Sequence, residues 1–469
     1  MEAILKQSFE YITCRADGIR NQAADMKNNR LLERKDRSIV TEDVIEQQSR
    51  WYKLDNAAKI YPAILNPKDS CVYRVAVNLM QEVDPSVLQQ AVTDCRRRFP
   101  SLYVKLKRGI FWNYYEHNEK TPVVRPESPI INQHICPYIN NGYLFSLFYY
   151  KKRISLEVFH GLCDGYSALE FLKALVFRYF VLLGYPNNSE DAVMTVDQQP
   201  RSLEFEDSFL KHYKPVKAKL AEFPPAYRIQ GTRFECGIGV INGRMPMQQL
   251  LALAKKSGAS ITQYLTALLT YCIWQTGDMA QSEGNAINIC IPVNMRKNYN
   301  SQTLRNFTLY FYVSTDCTAR DKSFEEILEH VKTTFKEELN MDKLQQRLNA
   351  NVAIEKNIAL RISPLFLKNL AIKIACVILG DKLNTCALSN VGQIVLPSWM
   401  KEVVKSFDCN TGVGNVATHS VAMNTYNDLT TISFTRSVVE TDIERLFFSF
   451  MSERGVEIEI QSNQWETVV

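Results

Sequence analysis

Residues 144–165 constrain the fold more than any other stretch. Apolar residues alternate up to Phe159, as a half-buried strand requires, and a helical pattern over residues 166–183 begins directly afterwards. Between them lies Phe159-His160-Gly161-Leu162-Cys163-Asp164-Gly165. The spacing predicts a strand, a tight turn and a helix, with His160 at the strand's end. An imidazole there is well placed for proton transfer. Asp164, four residues on, can hold the turn in shape, and Gly165 is expected to supply a backbone angle that other residues resist. By spacing alone, the same residues fit a plain polar turn equally well.

The rest of the composition narrows the classes. The chain has 469 residues, 46% of them hydrophobic, which suits two domains or one large pseudo-duplicated one. With 55 Lys+Arg against 50 Asp+Glu, the net charge is +5. No basic stripe with interleaved aromatics is visible, so nucleic acid is not an expected partner, while an anionic ligand is compatible. The twelve cysteines are scattered without a Cys-x-x-Cys pair, several of them in apolar runs (Cys272, Cys290, Cys376). They read as free thiols in a reducing cytoplasm. No Cys/His cluster has ligand spacing, so no metal is expected. The opening MEAILKQSFEY lacks a long apolar core, so no signal peptide is expected. Residues 171–185 are interrupted by Lys173 and Arg178, and residues 364–380 by Lys368 and Lys373. Neither reaches the roughly 20 apolar residues that span a bilayer. The second stretch fits either a buried, groove-lining helix or a basic amphipathic helix on a membrane surface, so peripheral membrane contact is the most that is expected.

Along the chain, residues 1–50 are polar and charged and read as an extension, partly disordered or loosely helical. Order is expected from Trp51. Residues 71–79 alternate as a strand. Asp84-Pro85 then supplies an N-cap and a proline at the first helical position, with Leu88, Ala91, Val92 and Cys95 at helical spacing. A hairpin is expected around Arg108-Gly109, a proline-containing loop at 121–137, a strand pair flanking Asn140-Asn141-Gly142, and a turn at 151–153 into the strand before His160. Residues 184–225, rich in Pro, Asn, Asp and Glu, read as an inter-domain linker. Beyond it we expect a strand at 233–241, a helix at 247–256 and a long helix opening at the capping box Ser260-Ile261-Thr262-Gln263. Strands at 286–291 and 307–315, helices at 323–339 and, with breaks, 342–379, and a strand-rich end with a helix at 440–454 complete the chain. Strands mixed with helices in both halves indicate an α/β protein of two subdomains, 51–200 and 201–469.

Among the six histidines, only His160 sits in a chemically suggestive pattern. A neutral imidazole can take a proton from an alcohol or amine as it attacks a carbonyl. No Gly-x-Ser-x-Gly elbow is present, so direct attack is simpler than a covalent enzyme intermediate.

The His-x-x-x-Asp-Gly run at His160, Asp164 and Gly165 resembles the signature of the acyltransferase superfamily named for chloramphenicol acetyltransferase. That superfamily includes condensation domains of peptide synthetases, plant acyl-CoA acyltransferases, wax-ester synthases and alcohol acetyltransferases. Other segments resemble it in the same order. Residues 83–102, with Arg98-Phe99-Pro100, look like its first helix. Ile291-Pro292-Val293-Asn294-Met295-Arg296 looks like its strand end, Leu304-Arg305-Asn306-Phe307 like the strand that follows, and Leu388-Ser389-Asn390-Val391-Gly392 like its late S-N-x-G segment. The opening WYKLDNAAKIYP is most like bacterial alcohol acetyltransferases. In two places the chain departs from the pattern. Phe159 stands where condensation domains usually have a second His, and the late D-F-G-W-G of plant enzymes is missing.

The resemblance implies two chloramphenicol-acetyltransferase-like subdomains, each a mixed β-sheet with helices, and a tunnel between them with His160 at its middle. It implies a monomeric cytoplasmic acyltransferase that transfers an acyl group from acyl-CoA to an alcohol, with no permanently bound cofactor. His160 would be the base, with Asp164 and Gly165 completing the motif. Arg296 would anchor Asp164, and Asn306, Ser389 and Asn390 would be candidates for the oxyanion or the tunnel wall. An acyl-pantetheine on a carrier protein, with an amine or hydroxyl acceptor, is an alternative donor arrangement. A non-catalytic ligand-binding member of the fold is the third reading.

Overall fold

Two mixed sheets organise the protein in a computed structural model that describes residues 51–66, 70–215, 223–279, 282, 284–317, 322–376, 383–414 and 417–463. The extension expected over residues 1–50 lies outside the described residues. In chain order the strands are β1 (Trp51–Lys53), β2 (Val72–Leu79), β3 (Val104–Arg108), β4 (Asn113–His117), β5 (Val124–Pro126), β6 (Phe145–Tyr150), β7 (Arg153–Phe159), β8 (Gly239–Pro246), β9 (Ala286–Asn294), β10 (Thr308–Asp316), β11 (Cys386–Ile394), β12 (Val404–Asn410), β13 (His419–Tyr426), β14 (Leu429–Arg436) and β15 (Glu459–Ser462). The α-helices of five residues or more are α1 (Pro85–Asp94), α2 (Gly165–Leu182), α3 (Met247–Lys256), α4 (Ile261–Thr276), α5 (Phe324–Glu338), α6 (Met341–Lys356), α7 (Ile358–Ile362), α8 (Leu365–Ala375) and α9 (Asp442–Ser452).

The first sheet has the order β12-β2-β7-β6-β5 and the second β10-β9-β11-β13-β14-β8-β15, while β1, β4 and β3 form a small sheet of their own. Both large sheets mix parallel and antiparallel neighbours. In the first, β5 runs parallel to β6 and the other pairs are antiparallel. In the second, β11 runs parallel to both β9 and β13. One strand from the late sequence, β12, pairs with β2 at the edge of the first sheet. The two sheets are therefore not separated by a single cut in the chain, and Trp51–Val469 forms one compact unit.

Local chemistry explains the helix starts. The Asp84 carboxylate accepts from the N–H groups of Ser86 and Val87 at 2.8 and 3.2 Å, and Pro85 needs no partner at the first position. Ser260 and Gln263 satisfy each other's backbone N–H groups to open α4, and Ser323 and Glu326 do the same for α5. One core packs α1 and α2 on the first sheet through Leu88, Val92, Phe171 and Leu175. A second packs α3, α4, α5 and α9 on the second sheet through Leu250, Leu268, Val331 and Phe447.

Several expected elements shift. The strand expected at 233–241 runs over Gly239–Pro246 instead, because β8 pairs with β14 over that register and Arg233 makes only an isolated bridge with Val438. Asn140-Asn141-Gly142 does not join two strands. It closes a turn in which Asn141 and Gly142 take positive φ (60° and 85°) and the Asn140 amide donates to the carbonyls of Tyr143 and Phe145. The proline-containing loop hides β5, where Pro126 is tolerated because the strand is an edge. The eleven cysteines among the described residues are free thiols.

The stretch read as a linker is more firmly held than its composition suggests. Glu204 is 4% exposed, and both its oxygens accept from Arg98 at the end of the first helical segment, each at 2.7 Å. Removing one partner of a buried ion pair strands the other charge. Glu204→Ala is therefore expected to lower unfolding free energy by about 3–5 kcal/mol in urea titrations, whereas an apolar replacement of both partners should restore most of it.

Candidate functional site

The turn that carries His160 is fixed from three sides. Its own N–H donates to the Cys71 carbonyl at 2.8 Å, continuing the β2–β7 ladder one residue past Phe159. Cys71 takes a left-handed conformation (φ 49°) to present that carbonyl, a conformation a β-carbon resists. The Tyr73 hydroxyl donates to the Cys163 carbonyl at 3.0 Å, and the Tyr115 hydroxyl to the Gly161 carbonyl. Gly161 is the glycine that packing demands, since a β-carbon there would sit 2.4 Å from the Phe159 ring.

Gly165 does not play the role expected of it. It is the first residue of α2 and does not adopt a positive φ, so no unusual backbone angle is needed. A β-carbon at Gly165 would meet no heavy atom within 4 Å. What the missing side chain leaves is open space at the helix start, next to Asp164.

Asp164 is turned away from the imidazole and into the second half of the protein. It caps α2, accepting from the Ser167 N–H at 3.2 Å and the Ser167 hydroxyl at 3.0 Å. Arg296, directly after β9, donates to both of its oxygens at 2.8 and 3.0 Å. The Phe307 N–H and the Thr308 hydroxyl, at the start of β10, each add a bond of 3.0 Å. Burial pushes the Asp164 carboxyl up, but the Arg296 charge and these hydrogen bonds outweigh it, and the group is held below the usual carboxylate range. Arg296 is itself 5% exposed, lies over the Tyr166 ring and donates its Nε to the Thr303 carbonyl at 2.8 Å.

His160 stacks on Tyr61, with ring centroids 4.6 Å apart and planes 12° apart, and meets Tyr73 edge-on at 5.0 Å. Surrounding protein lowers its pKa below the ordinary histidine value. Its own backbone carbonyl, the Asp164 charge and the Asn306 amide act in the opposite direction. The imidazole is therefore neutral at neutral pH. The residue as a whole is half-buried, and its Nδ1 is buried without a hydrogen-bond partner.

Asn306 donates its amide to the fully buried Asp55 carboxylate at 3.2 Å, and its backbone N–H points to the same oxygen at 3.4 Å. Asp55 also accepts from the Ala58 N–H at 2.8 Å and lies 3.7 Å from Arg305. A line from Arg305 through Asp55 and Asn306 thus ends at His160. Ser389 and Asn390 do not join it. The exposed Asn390 bonds Thr262 at 2.8 Å and the Gly392 N–H at 2.9 Å, and Ser389, half-buried on β11, makes no hydrogen bond with His160.

Sequence reasoning missed Asp55, Tyr61 and Tyr73. The segment WYKLDNAAKIYP contains the first two, but no spacing relates them to His160. Tyr61 is notable because burial raises its pKa, so the phenol stays protonated, and its hydroxyl makes no hydrogen bond among the described residues. A cavity of about 290 Å³ elsewhere, lined by Arg74, Asn242, Asp408 and Asn410 among others, does not include His160. Among the described residues, no group of three or more His, Cys, Asp or Glu could hold a metal ion.

No family model matches the chain, and no curated protein sequence matches it. Solved structures do. TRI101 of F. graminearum, complexed with coenzyme A and T-2 mycotoxin, matches with a TM-score of 0.58 at 10% identity, over 87% of this chain and 100% of that one. The starter condensation domain of rhizomide synthetase RzmA, in complex with C8-CoA, matches at 0.54 and 12% identity, over 89% and 96%. Polyketide synthase associated protein 5 of Mycobacterium tuberculosis matches at 0.53 and 13% identity, over 85% and 96%. The fold is the one these proteins share. It is the α/β arrangement of two mixed-sheet subdomains that the His-x-x-x-Asp-Gly resemblance implies.

The sign of the Asp164 contribution follows from its lowered pKa. Stability from the ionised carboxylate is fully present above the unfolded-state value of about 3.9 and is lost as pH falls through the lower folded-state value. Asp164→Asn should therefore be less stable than the native chain by about 3 kcal/mol at neutral pH. In urea titrations at stepped pH, that gap should close below about pH 4.

Proposed function

We propose that the protein is an acyl-CoA-dependent O-acyltransferase with His160 as general base. One observation carries the reading: a neutral imidazole with an unpartnered Nδ1 stacks on the unpaired phenol of Tyr61, on a turn fastened through Asp164 to Arg296 of the second sheet. An acceptor hydroxyl beside His160 gives its proton to the ring as its oxygen attacks the thioester carbonyl. The carbon–sulfur bond then breaks, and the departing thiolate takes the proton back from the imidazolium. No residue is acylated in the process.

The developing oxyanion needs a donor. Tyr61 is better suited than Asn306, because the Asn306 amide is already held by Asp55, whereas the Tyr61 hydroxyl is protonated and unpaired. Asp164 and Arg296 are positioning residues, since they face each other and not the ring. TRI101 and the rhizomide starter domain, which share the fold, were each solved with coenzyme A or an acyl-CoA, which supports CoA as the carrier. Phe159 occupies the place of the second His usual in condensation domains, which favours an alcohol acceptor over a peptide-forming role.

The test is thiol release from short-chain acyl-CoA donors against pooled alcohols and amines. His160→Ala should lose about 10²–10⁴-fold in kcat. Full activity in that variant would sink the reading, and turnover only with a carrier-bound acyl group would replace CoA as donor.

A further inference from the structure

One surface lies outside everything described so far. From Ala353 to Ala375 the chain forms the end of α6, then α7 and α8, with breaks at Asn357 and at Ser363-Pro364. Of the fifteen exposed residues in that stretch, eleven are apolar, three are cationic (Lys356, Arg361, Lys373) and none is acidic. Every fourth position places a large apolar side chain in solvent: Ile354, Ile358, Ile362, Phe366, Leu370 and Ile374, each between 51% and 76% exposed. Scattered exposed apolar residues are ordinary, but a continuous series over three helices is not.

The α8 helix departs from a surface helix that packs its whole apolar side on a core: of its two buried residues, one is Leu365 and the other is a cation. Its inward side carries Lys368, 2% exposed, which donates to the Phe111 carbonyl at 2.9 Å and lies 3.6 Å from the Trp112 ring centre. The Leu365 N–H adds a 2.9 Å bond to the Ile110 carbonyl. The cation thus anchors α8 to the β3–β4 hairpin, and Phe366, Leu367, Leu370 and Ile374 are left outward. No helix among the described residues is long and apolar enough to cross a membrane.

We propose that this face, residues 353–375, docks the protein on the surface of an anionic lipid bilayer. The apolar series would enter the boundary between headgroups and acyl chains, and Lys356, Arg361 and Lys373 would meet lipid phosphates. Charge selects this occupant over a second copy of the chain. A two-fold contact through the same face would set these cations against one another, and the one acidic residue of the stretch, Glu355, is half-buried and already paired with Lys59. The α8 helix also packs on the short helix Tyr61–Ile64, so the docking face lies beside the wall that carries Tyr61.

Flotation of the full-length protein with phosphatidylcholine vesicles, with and without phosphatidylglycerol, tests the proposal. The protein should float with the anionic vesicles, weakly with the neutral ones, and less as salt is raised. The triple variant Ile358→Glu/Phe366→Glu/Leu370→Glu, changed only at exposed positions, should lose on the order of tenfold or more in binding while keeping its thermal transition and thiol-release activity. Hydrogen exchange in residues 353–375 of the unaltered protein should slow when anionic vesicles are added. Absence of flotation, equal flotation of the triple variant, or unchanged exchange would overturn the proposal. A dimer that the triple variant converts to monomer, without vesicle binding, would assign the face to a second copy.

Discussion

The ion pair between Asp164 and Arg296 is the contact on which the arrangement of the site depends. It joins the start of α2, on the first sheet, to the end of β9, on the second, and it is buried on both sides. Two charges in such a place are costly unless every remaining hydrogen-bond position is filled. They are filled here: Asp164 takes bonds from Ser167, Phe307 and Thr308 as well, and Arg296 reaches the Thr303 carbonyl. The pair therefore fixes geometry more than it adds stability. It sets where the turn between β7 and α2 lies relative to β10, and so where His160 lies relative to Asn306.

With the carboxylate committed to Arg296, it is not a partner for the imidazole. His160 is instead bounded by aromatic rings and by the Asn306 amide. Burial favours its neutral form, which is the form a general base must have. The two functions of the six-residue motif are thus separated in space. One end presents the neutral imidazole, the base in the proposed function, and the other fastens the turn. The seven-stranded sheet supplies the fastening from residues far along the chain, and β12, lent to the first sheet, reinforces the same junction through Asp408, which pairs with Arg244 at 2.7 Å.

Much of this could be read from the sequence because it rests on local patterns. The alternation into Phe159, the Asp84-Pro85 cap and the Ser260 capping box each specify an element within a few residues, and each element forms. The partnership of Asp164 with Arg296 came from resemblance, since no spacing rule connects positions so far apart. Asp55, Tyr61 and Tyr73 were invisible for the same reason: each acts through a tertiary contact that no local pattern marks. Gly165 was misread in its reason, because a helical first position needs no special backbone angle, and its value is the space it leaves. The strand placed at 233–241 failed because pairing with β14, not local alternation, sets where β8 begins.

The most direct test of His160 as a neutral, poised base is the pH dependence of kcat/KM for acyl-CoA. The rate should be level near neutral pH and fall as the medium is acidified through a single ionisation below the ordinary histidine value of about 6.5, and Asn306→Ala should move that limb to lower pH still. A profile with no such limb, or a limb that persists unchanged in the residual rate of His160→Ala, would contradict the account.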